Sequence, residues 1–222
     1  GKRSCSFETR TIDLFVQKGL FSRLNFYLAY WGIRFNLKGQ FSNSTKAANT
    51  IKNIADIYDN ESSLVIYYEI LATQYYFQYK TKEGLEAADQ LLELSGRIGE
   101  QTLRKLYLSF KLNLLMQADQ YEEAERLFEN IKALIRNEQF SIPIQVVPPL
   151  LSMTAYLLNT FVRTDSQKKK QTLLREAKPI VKKMLNYGKK FFYHYPEACR
   201  LAGTYYWFKG KHRTAFKWWK KG

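Results

Sequence analysis

A chain of 222 residues that is 45% hydrophobic and 25% charged holds enough apolar material for a substantial core, which excludes a disordered segment. Five prolines, eleven glycines and scarce alternation of apolar and polar residues disfavour a sheet-rich fold. The net charge of +15 is uneven: residues 163–222 hold 17 Lys or Arg against Asp165, Glu176 and Glu197, a net +14, while the first 162 residues carry 18 basic and 17 acidic side chains.

Apolar spacing of three and four residues predicts about eleven helices in chain order. They fall near Ile12–Lys18, Phe21–Leu37, a segment after Ser42-Asn43-Ser44-Thr45 running to Tyr58, then Ser63–Tyr79, Glu83–Leu94, Gln101–Ala118 and Tyr121–Arg136. The Ser42–Thr45 cluster is expected to cap its helix from outside. Residues 137–149 contain Pro143, Pro148 and Pro149 and are expected to form an internal break. Helices resume near Leu150–Phe161, Gln167–Tyr187, Pro196–Phe208 and Lys211–Lys221. Successive short helical hairpins bury their apolar faces only against neighbouring hairpins, so one solenoid over 1–222 is expected.

The longest apolar stretch, 146–162, is interrupted by Pro148, Pro149, Ser152, Thr154, Asn159 and Thr160, so no membrane insertion is expected. The N-terminus lacks the apolar core of a secretory signal, and Cys5 stands where a myristoylation motif takes Ser or Thr. Cys5 and Cys199 are too few for a disulfide framework, which fits a reducing, cytoplasmic compartment. The sequence reads as a segment of a larger protein.

An internal repeat is visible in the second helix of each hairpin, where alanine is followed four positions later by a bulky apolar residue. The pairs are Ala47 with Ile51, Ala87 with Leu91, Ala124 with Phe128, Ala177 with Val181 and Ala215 with Trp219. Gly32, Phe35, Gly39 and Phe41 share the offsets of Gly203, Tyr206, Gly210 and His212. At these residues the chain resembles the tetratricopeptide repeat family, with Tyr75 and Leu112 standing at the glycine position of the second and third units. The resemblance implies an all-α, right-handed α-α superhelix of about five hairpins that binds a protein or peptide partner, or adjacent domains of the parent chain, on a concave face lined by the first helices. A narrower likeness, in Arg200-Leu201-Ala202-Gly203, Gly210-Lys211 and Ala215 to Lys221, is to the repeat regions of large ATPase-coupled signalling proteins such as nucleotide cyclases and kinases. It implies a regulatory segment.

Candidate partner-binding residues on that face are Tyr30, Arg34, Tyr76, Asn113, Arg200 and Thr204. The inner positions Ala29, Ile33, Ser109, Asn113, Arg200 and Thr204 do not form a carboxylate clamp, which disfavours a receptor for chaperone tails. An alternative is a basic module that binds nucleic acid or an acidic partner through Lys182, Lys183, Lys189, Lys190, Lys209, Lys211, Lys217, Lys220 and Lys221, with aromatics between them to stack on bases. Without a partner, the same lysines form a solvated face. The runs Tyr67-Tyr68, Tyr75-Tyr76-Phe77 and Tyr205 to Phe208 cannot point one way on a helix, so they pack between repeats or meet a partner. His212 is expected to pack as an aromatic, His194 to lie in a loop and Cys199 to be buried, although its many cationic neighbours would lower its thiol pKa. No phosphate-cradling, dinucleotide-binding or esterase motif and no metal-ligand spacing occurs, so neither catalysis, cofactor nor metal is expected.

Overall fold

A computed structural model of the chain describes residues 7–99, 103–136, 143–190 and 193–222. Eleven α-helices and no β-strand occur among the described residues: α1 (Thr9–Gln17), α2 (Phe21–Leu37), α3 (Phe41–Tyr58), α4 (Glu61–Phe77), α5 (Thr81–Arg97), α6 (Arg104–Gln117), α7 (Tyr121–Arg136), α8 (Pro143–Arg163), α9 (Gln167–Gly188), α10 (Tyr195–Phe208) and α11 (His212–Trp219). None of them is long and apolar enough to cross a membrane. The residues cluster into two compact units, 1–101 and 102–222.

Within the first unit each helix packs on the next, and α2 also packs on α4, so the hairpin α2/α3 is covered by the first helix of α4/α5. Within the second unit the hairpins are α6/α7, α8/α9 and α10/α11, and α8 touches both α6 and α10. This is an all-α fold of five helical hairpins in which each first helix rests on the first helix before it within its unit.

Left-handed residues set the repeat. Gly19, Gly39, Asp59, Tyr79, Gly99 and Asp119 all have positive φ and recur every twenty residues; Gly210 closes α10 in the same way. At Gly39, Tyr79, Asp119 and Gly210 the turn residue donates to the carbonyl three back, and the next amide reaches the carbonyl five back: Gln40 to Phe35, Lys80 to Tyr75, Gln120 to Leu115 and Lys211 to Tyr206. These bonds satisfy carbonyls that a helix end leaves open.

The turns correct the register read from alanine. Counting from the left-handed residue, Ala215 and Ala124 correspond to Ser44 and Gly84, not to Ala47 and Ala87. The position of Gly32 and Gly203 is held in α4 by the buried Ala72, not by Tyr75. The sequence pattern misled because α3 and α5 each bury two small residues in succession. Ser44, Ala47, Ala48 and Ile51 are inside in α3, as are Gly84, Ala87, Ala88 and Leu91 in α5.

Small residues are required where helices cross closely. A Cβ on Gly32 would lie 2.7 Å from the Ile70 side chain, and Ser44 Oγ donates to the Gly32 carbonyl at 3.2 Å. Ser44 is therefore interior to α3, which begins at Phe41, and the expected external cap is absent; the N-cap position is Gln40 and makes no side-chain cap bond. Leu24, Leu28, Ile51 and Ile70 are fully enclosed in this core. Each contributes about 1.5–3 kcal/mol by burial.

The proline-rich break is also corrected in part. Residues 137–142 lie outside the described residues, whereas 143–149 form the start of α8, with Pro148 and Pro149 inside it. Two amide donors are lost there. The buried Val146, Val147 and Leu150 beside them hold the helix to its neighbours regardless.

Candidate functional site

The six expected contact positions are divided between the units, and most are already engaged. In α2, Arg34 Nη1 donates to the Tyr30 hydroxyl at 2.8 Å, and its guanidinium lies 5.0 Å from the centre of the Trp31 ring. Tyr76, in α4, is half-buried with its ring 5.2 Å from Phe77. In the second unit Asn113 is half-buried, Arg200 makes a two-pronged pair with Glu197 at 2.7 and 2.6 Å, and Thr204 donates to the Arg200 carbonyl at 3.2 Å. Arg200 thus offers a neutralised pair rather than a bare cation. Ser109 is buried and donates to the Leu106 carbonyl, so it does not present a hydroxyl to a ligand.

Sequence reasoning passed over an apolar line on the same helix. Phe26, Tyr30, Ile33 and Leu37 follow one another at four, three and four residues, which places them on one side of α2. Phe26 is 77% exposed, Tyr30 41% and Leu37 45%, with Ile33 half-buried. Phe77 takes the place of Leu37 one repeat later and is also exposed. Their spacing in the sequence was the available signal.

All nine lysines of the alternative face are exposed, and none is seen in an ion pair with a carboxylate among the described residues. On α9, Arg175, Lys178 and Lys182 recur at three and four residues, and the C-cap Lys189 follows seven later, forming a cationic stripe. Lys190, Lys209 and Lys221 lean over the rings of Tyr187, Tyr205 and Trp218 at 5.9, 5.5 and 5.3 Å. The triplet Lys168-Lys169-Lys170 opens α9, where Ser166 caps the helix by accepting from the Lys169 amide. Lys170 folds back over Phe161.

The side chains with chemical potential are taken up by packing. Cys199 is buried, and that burial pushes its thiol pKa up, outweighing a Tyr195 hydrogen bond and the charges of Lys221 and Lys189. The lowering expected from nearby cations is therefore reversed. His194 occupies the N-cap position of α10, half-buried, and loss of hydration lowers its pKa. His212 is exposed, with its ring 4.2 Å from Trp207. Among the described residues no group of three or more His, Cys, Asp or Glu is placed to hold a metal ion. An open depression of about 460 Å³ beside α10 is lined by Tyr193, Pro196, Glu197, Arg200, Trp219 and Gly222.

One buried acid stands apart. Glu69, in α4, is 5% exposed, and desolvation pushes its pKa up to about 7. It is the only charged residue between Glu61 and Lys80, in a segment apolar on every side, and that was the available signal. In the comparisons with known proteins, no family model matches the chain, and no curated protein or solved structure matches it significantly.

Proposed function

We propose that this chain is a non-enzymatic interaction and regulatory repeat region of a larger signalling protein, which takes a helix or peptide of a protein partner on its first-helix surfaces. The supporting observation is the exposed apolar line Phe26, Tyr30, Ile33 and Leu37 along α2, since contiguous exposed apolar surface is costly in water unless a partner covers it. Arg34, held beside Tyr30, adds a donor-rich edge to that line. A peptide library selected on the wild-type chain and on a Phe26→Ser/Leu37→Ser variant tests the proposal. Sequences enriched by the first and lost by the second are expected; equal enrichment by both sinks it.

The exposed lysines favour a second reading, a basic module for nucleic acid or an acidic partner. Its mark is salt dependence. Neutralising six phosphates would reduce affinity by about a thousandfold between 50 and 200 mM salt. Replacing Lys182, Lys183 and Lys189 by Gln is expected to flatten the slope, and an affinity that ignores salt removes this reading.

A further inference from the structure

Three hairpins can be aligned by position on their left-handed turns, Gly39, Asp119 and Gly210, which share one hydrogen-bond pattern. In the first, the positions three before, six after and nine after the turn are Asn36, Thr45 and Ala48. Asn36 Nδ2 donates to the Ile70 carbonyl and Thr73 Oγ1, both at 3.1 Å, and Thr45 bonds the Gln74 side chain. Ile70, Thr73 and Gln74 all belong to α4, the first helix of the next hairpin.

The corresponding residues after α6 are Met116, Glu125 and Phe128. Phe128 stacks on Tyr156 at 4.7 Å, and Asn159 Nδ2 reaches Met116 Sδ at 3.6 Å. Tyr156 and Asn159 belong to α8, again the first helix of the next hairpin. The following helix therefore covers the first and third of these positions in the second unit, with Glu125 between them exposed, and engages Asn36 and Thr45 in the first.

In the last hairpin they are Trp207, Phe216 and Trp219. Trp207 is 41% exposed and Phe216 53%, and Trp219 is half-buried. The three rings touch: Trp207 lies 5.7 Å from Trp219 and 6.0 Å from Phe216, and Phe216 lies 5.6 Å from Trp219. Trp219 turns its indole over Gly203, where an added Cβ would clash with it, and donates to the Arg200 carbonyl at 3.1 Å. That is the space which Ile70 of the next helix fills over Gly32. Within its own hairpin the chain thus fills part of the groove and leaves the remainder aromatic and open.

Resting on the interaction reading, we propose that this face takes one amphipathic helix of a protein partner, with apolar residues at three and four spacing and acidic residues on its flanks. The helical form follows from α4 and α8, which cover the equivalent faces. The acidic flanks follow from the rim: Lys209, Lys211, Arg213, Lys217 and Lys220 are exposed and form no ion pair among the described residues. Electrostatic complementarity of this kind sets orientation and speeds encounter.

The test uses the full chain and a synthetic peptide of about twenty residues, with Leu at helical spacing and Glu between. Two controls accompany it: the same composition with the apolar order scrambled, and a single-stranded thymidine oligonucleotide of similar length. The helical peptide is expected to bind and to shift tryptophan emission to the blue. Trp207→Ala/Phe216→Ala, at exposed positions and with an unchanged helical circular dichroism spectrum, should weaken it at least about tenfold. Equal binding of the scrambled peptide overturns the proposal, because charge alone then suffices. Tighter binding of the oligonucleotide with displacement of the peptide overturns it in favour of nucleic acid. Peptide binding lost in Phe26→Ser/Leu37→Ser but kept in Trp207→Ala/Phe216→Ala removes this face and leaves the interaction reading standing.

Discussion

The hairpins α2/α3 and α10/α11 share one turn geometry and differ in what lies over it. Above Gly32 sits Ile70, delivered by another helix and fully enclosed; above Gly203 sits Trp219, delivered by the hairpin itself and half open to water. The flanking positions change in step, from the hydrogen-bonding Asn36 and Thr45 to the exposed rings of Trp207 and Phe216. The units that hold them differ in charge as well, +1 over residues 1–101 and +14 over 102–222. One backbone turn thus has a side chain of the next hairpin over its small residue in one place and the hairpin's own tryptophan in the other, and the side chains at the flanking offsets differ as well.

The sharpest way to break this comparison is to truncate both residues. Ile70→Ala should cost about 2–5 kcal/mol in denaturant unfolding, whereas Trp219→Ala should cost about 1–2 kcal/mol, because its ring is already partly hydrated and its cavity opens to solvent. Equal losses would show that the last hairpin is as tightly closed as the first. Next in size is Glu69→Gln. The Glu69 pKa is raised from 4.5 to about 7, so the folded state holds a proton that the unfolded chain releases as pH rises through 4.5. Stability from this group is therefore lost as pH climbs from about 4.5 to 7 and stays lost above. The Gln variant should be more stable at pH 8, by on the order of 1–3 kcal/mol, and the two proteins should converge at pH 4. A constant difference across that range would refute the assignment.

Smaller effects test the turns. Tyr79 is 80% exposed yet left-handed, so Tyr79→Gly should stabilise the first unit by about 1 kcal/mol, read as a higher urea midpoint. Asp119→Gly should gain less, since Asp tolerates that conformation better and also pairs with Arg163 at 2.9 Å. Reversal of this order would mean that the tyrosine ring supplies an anchoring contact.

The legible part was the part governed by local periodicity. Eleven helices and five hairpins follow from apolar spacing, because a helix of this size forms only where one face can be buried. The bounds Phe21–Leu37 and Tyr121–Arg136 were read to the residue. Boundaries failed where tertiary burial overrode a local signal: Ser44 is a joint to Gly32 rather than a cap, and Pro148-Pro149 sit in a helix held by its buried neighbours. The twenty-residue recurrence went unseen because its markers are Gly, Asp and Tyr, which share a backbone conformation rather than a side chain.

The candidate faces divide in the same way. Sequence alone determined that these residues form helices, that the helices pair, and that the cations crowd into the last third, since spacing and charge are properties of the chain itself. Only the tertiary structure decided that Glu69 is starved of water and that Trp207 and Phe216 are exposed where Asn36 and Thr45 are engaged by another helix. Burial depends on which helix comes to lie over a residue, and that neighbour is set by packing between segments rather than by the residues beside it.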